Sequence, residues 1–429
     1  MHQGVTGSSR NPLSVPDYRR YLIGRVSSII AINGMIVIMG YQLYDIARSD
    51  HAMSIGQASF LLGMLGLVQF LPLMVLSPFA GVLADRFERR TVGACAMAVD
   101  LAITLTLAAA TQWGHLSLGL IFVLGGFHGA ARAFVSPALS AIVPNVVPAD
   151  MMPRAVAASS VAWQIGAMLG PTSAGFLFAG SRALPYWLGA ALLIVAIISI
   201  MAIRPIAPPP GNREEHPVRQ ILAGLRFVRG ERFLLGCITL DLFAVILGGA
   251  TALLPVFARD ILQVGPEGLG QLRAAPAMGA MVVGLFLAWR PMSHNVGIKM
   301  LWAVVIYGAA TLTFGLSRDF LLSLAMLALL GAGDMVSMFV RSTLIQLNTP
   351  DSMRGRVQSI SGLAVSASNE LGEMQSGIAA AILGATGAVV FGGVSAIVIT
   401  VLWAVIFPEL RNARTFASQS RQRELEHES

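Results

Sequence analysis

The stretch Gly81-Val82-Leu83-Ala84-Asp85-Arg86-Phe87-Glu88-Arg89-Arg90 carries five charges in a chain that is otherwise mostly apolar. Apolar runs flank it, residues 57–80 before and 92–110 after. A run of about 20 apolar residues spans a bilayer as a helix. The decapeptide therefore reads as a very short turn between two spanning helices, held at the membrane surface. Three arginines in so short a loop assign it to the cytoplasmic side.

Composition agrees. Of 429 residues, 55% are hydrophobic and only 12% charged, with a mean hydropathy of +0.71. A soluble domain carries roughly 25% charged residues, so the chain is an integral membrane protein. The net charge of +7 does not point to a nucleic-acid partner. Most of the 29 basic residues fall in loops on the side of the decapeptide. Arg48, Arg182, Arg259, Arg273 and Arg318 are assigned to the other side, and Arg132 and Arg341 to the membrane interior. That asymmetry reports orientation. Cys95 and Cys237 lie in separate spans and offer neither a disulfide framework nor metal spacing. The polar first 20 residues lead into a run with no small-residue cleavage site, which reads as a retained helix.

Polar breaks divide the chain into twelve candidate spans: 21–47, 57–81, 91–112, 116–143, 155–180 and 184–204, then 233–258, 267–290, 297–316, 320–347, 357–382 and 386–407. An even count returns both termini to the cytoplasm. The expected organisation is a cytoplasmic segment 1–20, a six-helix bundle 21–204, a linker 205–232, a second bundle 233–407 and a cytoplasmic tail 408–429. Pro208-Pro209-Pro210-Gly211 opens the linker proper. Val218, Ile221, Leu222, Leu225 and Val228 then follow at helical spacing, with Arg219, Arg226 and Arg229 on other faces. That pattern suits an amphipathic helix on the inner leaflet. An internal echo supports two repeated halves: Asp-x-Met-x-x-x-Val, after a proline, begins at Asp150 after the fourth span and at Asp351 after the tenth. In such repeats the solute site lies near the midplane, between the halves.

The pattern Gly-x-Leu-x-Asp-Arg-x-x-Arg-Arg resembles the signature loop between helices 2 and 3 of the major facilitator superfamily. That resemblance implies an all-α membrane fold of twelve helices in two pseudo-symmetric six-helix bundles. It also implies a conformational latch formed by Gly81, Asp85, Arg86, Arg89 and Arg90. Glu88 departs from the pattern, which often has glycine there. Gly166-Ala167-Met168-Leu169-Gly170-Pro171-Thr172-Ser173-Ala174-Gly175 resembles a motif found mainly in the family's antiporters, and implies export. Taken on their own, Gly166 and Gly170 offer a small-residue packing face and Pro171 a bend. The arginine expected near Gly125 for the drug–proton antiporters is absent. Pro137, Pro144 and Pro148, with Asp241-Leu242-Phe243-Ala244-Val245, Arg354-Gly355-Arg356-Val357 and Ser368-Asn369-Glu370-Leu371-Gly372-Glu373, are similar to the subgroup that includes enterobactin exporters.

Charges inside the spans need a physical reason, because each costs several kcal/mol unless paired or hydrated. At 1.5 Å per residue, Asp100 lies about 15 Å and Arg132 about 18 Å from the inner surface. Asp241 and Arg341 both lie about 10–12 Å deep. Matched depth predicts an Asp100–Arg132 pair and an Asp241–Arg341 pair. Asp241, Asp334, Glu370 and Glu373 then face Arg341 alone, which leaves carboxylates over. Those four are the proton-coupling candidates, Glu370 and Glu373 first because they share a helix face. Asn33, Met35, Arg132, Asp334 and Met338 are candidates for lining a substrate cavity. The bland alternatives are backbone or hydroxyl partners for the acids, and apolar filler for the methionines. Tyr44 and Asp45 suit anchors at the membrane interface.

The chain has one lysine, Lys299, and no nucleotide-binding loop, His-Glu-x-x-His or Gly-x-Ser-x-Gly element. No catalytic or metal residue is therefore assigned, and no cofactor beyond a proton gradient. The expected function is secondary transport of a small organic solute across a bacterial inner membrane by alternating access, as proton-coupled export by a monomer of a siderophore or amphiphilic drug-like compound. An importer of the same fold and a non-transporting membrane sensor or scaffold are the alternatives.

Overall fold

The computed structural model describes residues 12–148, 151–206, 217–290, 292 and 294–416, without the side chains of 78, 81–86, 153, 217–221 and 351–352. Among these residues there is no strand. Six long helices come first: α1 (Pro16–Ser49), α2 (Ile55–Arg86), α3 (Arg89–Gln112), α4 (Leu118–Ser140), α5 (Met152–Gly180) and α6 (Leu184–Met201). A linker helix, Pro217–Gly230, follows. The second six are α7 (Arg232–Gly248), α8 (Gly265–Trp289), α9 (Val296–Leu316), α10 (Phe320–Leu347), α11 (351–383) and α12 (385–406). The last two run as one helix broken at Gly384, whose φ of 74° lies in the left-handed region that glycine tolerates.

Ten helices among the described residues are long and apolar enough to cross a membrane. One of the ten is the helix that Gly384 divides, and α5, with 29 residues, is a further long helix outside that set. Counted with the break at Gly384 and with α5, the long helical segments among the described residues number twelve. Their ends follow local chemistry. Proline occupies the first turn of α1, α5, α6 and α8, where its missing N–H has no partner to lose. Ser117 caps α4 through the Leu120 N–H, and Asp319 caps α10 through the Leu322 N–H at 2.7 Å. α7 ends at Gly249, and the chain continues through a 3-10 turn and a π-turn to Ile261.

Within the first half, α1 packs on α5 and α6, α4 on α2, and α3 on α4 and α6. The second half repeats this with α7 on α11, α10 on α8, and α9 on α10 and the α11–α12 helix. The halves meet through α2 on α11 and α5 on α8. The apolar cores show where. One core, containing Met39, Leu62, Leu107, Phe257, Leu272, Phe314 and Val389, is shared by both halves at the end remote from the termini. At the terminus-bearing end there are two separate cores. Tyr18, Met97, Leu139 and Ile200 belong to the first half, and Cys237, Met300, Leu344 and Ile360 to the second. The bundles are thus fused by burial at one end only. The linker helix packs against α11, where Gly224 approaches Arg356 and Ile360, and leaves Leu222 and Leu225 exposed.

Candidate functional site

The α2–α11 seam depends on glycine. A Cβ on Gly63 would stand 2.9 Å from the Gly377 Cα, so only a bare backbone permits this approach. Gly66, one turn on, faces Glu373. On the other seam, Gly175 of α5 lies against Pro266 and Gly270 of α8. Gly166 and Gly170 turn instead to α1, against Ile29, Ile30, Asn33 and Gly34. The fifth-helix motif therefore packs α5 inside its own bundle and across the boundary.

Between the seams is a cleft lined by Ile36, Val37 and Gly40 of α1, Leu62, Leu65 and Gln69 of α2, Leu269 and Arg273 of α8, and Glu373 of α11. One turn from Glu373 on α11, Glu370 is hydrogen-bonded to Arg132 of α4, an ion pair that crosses from one bundle to the other. The Glu370 side chain is 6% exposed, the Arg132 side chain 39%. Beside them Arg273 donates at 2.7 Å to the Thr251 carbonyl in the break after α7, and lies 3.7 Å from Glu373.

These contacts correct the matched-depth reading. Asp100 does not pair with Arg132. Its Oδ1 lies 2.8 Å from Nδ1 of His128, with both side chains wholly buried. Depth sets the level of a side chain, but the direction it faces is set by packing, and Arg132 faces outward to the second bundle. Asp241 and Arg341 do meet, at 2.7 Å. The carboxylates are not left to Arg341 alone: Glu370 has Arg132 and Glu373 has Arg273. Arg273, assigned to the outer surface from sequence, sits inside α8 at the cleft. Asp334 is the acid of the four with no hydrogen bond or ion pair among the described residues. Met35 is buried in the first bundle, where Thr104 lies 3.1 Å from its sulfur, and does not line the cleft. Asn33 is partly buried beside Gly170, and its amide donates to Ile29. Met338 is exposed on α10.

At the remote end a second charged network joins the bundles. Tyr44 of α1 donates to Asp260, Arg48 approaches the same carboxylate at 3.3 Å, and Arg259 reaches Asp45 at 3.0 Å and Ser49 at 2.6 Å. In sequence Tyr44 and Asp45 read as interface anchors and Arg48 and Arg259 as outer-surface charges, while Asp260 carried no reading. The signal available was their shared loop end, where opposite charges from both halves collect.

At the terminus-bearing end, Arg90 donates to Glu88 at 2.6 Å, to Met201 at 3.1 Å and to Ile203, while Arg89 donates to Ala141 at 2.9 Å. Each of these bonds closes a helix end within the first bundle. Glu88, the departure from the signature, is the partner of Arg90 and also accepts from the Ile206 backbone N–H at 3.3 Å and the Thr91 hydroxyl at 3.1 Å. Partial burial pushes the Glu88 carboxyl up, but those hydrogen bonds outweigh it and hold the acid below the usual glutamate range. The side chains of Gly81, Asp85 and Arg86 lie outside the described residues, so their part in a latch stays an expectation.

A family model described as transmembrane secretion effector matches residues 22–428. The enterobactin exporter of Escherichia coli strain K12 is 29% identical over 412 residues, covering 93% of this chain and 94% of the relative. Among solved structures, a bacterial homolog of the human lysosomal transporter Spinster superposes with a TM-score of 0.66 at 15% identity, over 92% of this chain and 96% of that one. The D-xylose–proton symporter gives 0.66 at 14%, over 92% and 97%. A POT family transporter with a bound peptide conjugate gives 0.73 at 12%, over 92% and 96%. At these identities the structures share a fold with this chain.

Proposed function

The chain belongs to the transmembrane secretion effector family of major facilitator transporters, and from that premise we propose that it is a proton-coupled exporter working by alternating access. It moves a small organic solute, of siderophore or amphiphilic drug-like class, out through the bacterial inner membrane. The solute binds in the cleft between the bundles. Both termini and the linker helix face the cytoplasm, in keeping with the arginine-rich loops on that side. The likeness to an enterobactin exporter supports the direction and the solute class.

One observation carries the coupling: the Arg132–Glu370 pair between bundles. A proton on Glu370 and a closed ion pair with Arg132 exclude each other, so protonation and inter-bundle contact are linked through one carboxylate. Glu373, beside Arg273 on the same helix face, extends that linkage to the break after α7. The two separate cores at the terminus-bearing end and the single shared core at the other support an inward-facing state.

Two assays test this reading. Uptake of enterobactin by inside-out vesicles is expected to require a proton gradient and to collapse with an uncoupler. Cells lacking the protein are expected to accumulate the solute, as seen by comparing their metabolites with wild type. Depletion in those cells would mean import, and uptake indifferent to the uncoupler would remove the proton.

A further inference from the structure

A second pocket lies inside the second bundle, among α7, α9 and α10. Its polar wall is Asp241 from α7, Tyr307 from α9, and Asp334, Ser337 and Arg341 from α10. The last three are spaced by three and four residues, which puts them on one face of the helix. Arg341 is already bonded to Asp241 at 2.7 Å. Asp334 has no such partner among the described residues and is exposed, so its carboxylate stands at the mouth of the pocket.

Two further observations point to an occupant. Ser337 is 3% exposed, lines this pocket, and its Oγ is buried without a hydrogen-bond partner. Other helix hydroxyls here bond the carbonyl four residues back, as Thr311, Thr343 and Ser359 do; Ser337 does not. The charge count of the wall is also uneven, with two carboxylates against one guanidinium. A charge within a membrane-spanning helix costs several kcal/mol unless it is paired or hydrated. The missing compensation is a single positive charge. Carboxylate and hydroxyl oxygens are hard donors, suited to a hard cation. The space is about that of one water molecule.

We propose that this pocket is a sodium-ion site, formed by Asp334, Asp241 and Ser337 and set apart from the solute cleft. One monovalent cation neutralises the surplus carboxylate and takes the Ser337 lone pairs. A divalent ion would leave the wall positively charged. A bound ion joins α7 to α10 beside the Asp241–Arg341 pair, so it stabilises the folded bundle by mass action. The site goes beyond the export reading, since the ion binds without solute or gradient.

The test is the melting temperature of the purified full-length protein in detergent, with sodium chloride exchanged mole for mole against potassium or choline chloride at fixed pH. Sodium is expected to raise the melting temperature saturably while choline does not. Asp334→Asn is expected to abolish that rise. Ser337→Ala, which leaves the charge in place, is expected to require about tenfold more sodium, equivalent to roughly 1.4 kcal/mol. If Asp334→Asn does not fold, the Ser337→Ala shift decides. Absence of a sodium-specific rise overturns the proposal, as does a rise unchanged in both variants. Stabilisation by acidification alone, with sodium inert, also overturns it and makes the pocket a proton site. Because neither solute nor gradient is present, failure here leaves the export reading standing, and failure of export leaves this site standing.

Discussion

Arg132 on α4 and Glu370 on α11, 238 residues apart in the chain, are joined in an ion pair that spans the boundary between the two bundles. Glu370 is the more buried partner, so the two removals are unequal. Arg132→Gln strands a nearly enclosed carboxylate and is expected to cost about 2–3 kcal/mol of stability. Glu370→Gln keeps an acceptor for Arg132 and is expected to cost about 1 kcal/mol. Both are expected to abolish gradient-driven transport. Thermal melts beside vesicle uptake check this; full transport by Glu370→Gln would free that residue from the coupling role.

The remote network is expected to act as a gate. Asp260→Asn weakens the bonds from Tyr44 and Arg48, worth about 1 kcal/mol each. A cysteine at Gly40, which lines the cleft, reports the opening in a background where exposed Cys95 is serine. Labelling from the remote side by an impermeant thiol reagent is expected to rise about fivefold for each kcal/mol lost. Unchanged labelling would mean that the shared apolar core alone holds that face shut.

Closure of the α2–α11 seam requires Gly63 to meet Gly377. Gly63→Leu adds a side chain where even a Cβ would stand 2.9 Å from the facing Cα. The expected result is a folded protein trapped with its remote face open, with Gly40→Cys labelling high and transport lost. Spin-label distances between the remote ends of α2 and α11 would show the separation directly.

Inside the second bundle, Asp241 and Arg341 form a nearly enclosed pair. Removing one partner, as in Arg341→Met, is expected to cost about 3–5 kcal/mol. Asp241→Leu with Arg341→Met is expected to recover most of that loss, because neither member of the pair is left without its partner. A double-mutant cycle on melting temperatures measures the coupling.

Glu88 predicts a pH dependence at the terminus-bearing surface. Its carboxyl is held below the usual range by hydrogen bonds from Arg90, Ile206 and Thr91, against the opposing effect of partial burial. A depressed folded-state value contributes stability that is present above the ordinary glutamate pKa of about 4.3 and fades as pH falls through the folded value. Glu88→Gln is therefore expected to melt below wild type at neutral pH, with the difference closing under acid below about pH 4. A gap constant with pH would mean that shape, not charge, explains the loss.

Hydropathy placed most helices and polar breaks close to where the structure has them, because the need to pair every backbone group internally in lipid acts locally along the chain; it carried the seventh span to residue 258, where α7 stops at Gly248 and the chain turns through 3-10 and π segments. It even separated α11 from α12 around Gly384, where the helix axis breaks. The meeting of Asp241 and Arg341 was also legible, since equal depth on helices of one half was enough. Equal depth failed for Asp100 and Arg132. His128 carries no formal charge in a sequence count, so the partner of Asp100 was invisible there. Arg132, Glu370, Arg273 and Glu373 were each visible as charges within or near spans, but their partners depend on which way each helix is turned and which bundle faces it. The chain by itself determined helices, loops and the level of each charge, because those follow from neighbours in sequence. Only the tertiary structure decided which charges touch, because helix rotation is set by small-residue seams such as Gly63 on Gly377 and by cores drawn from both halves.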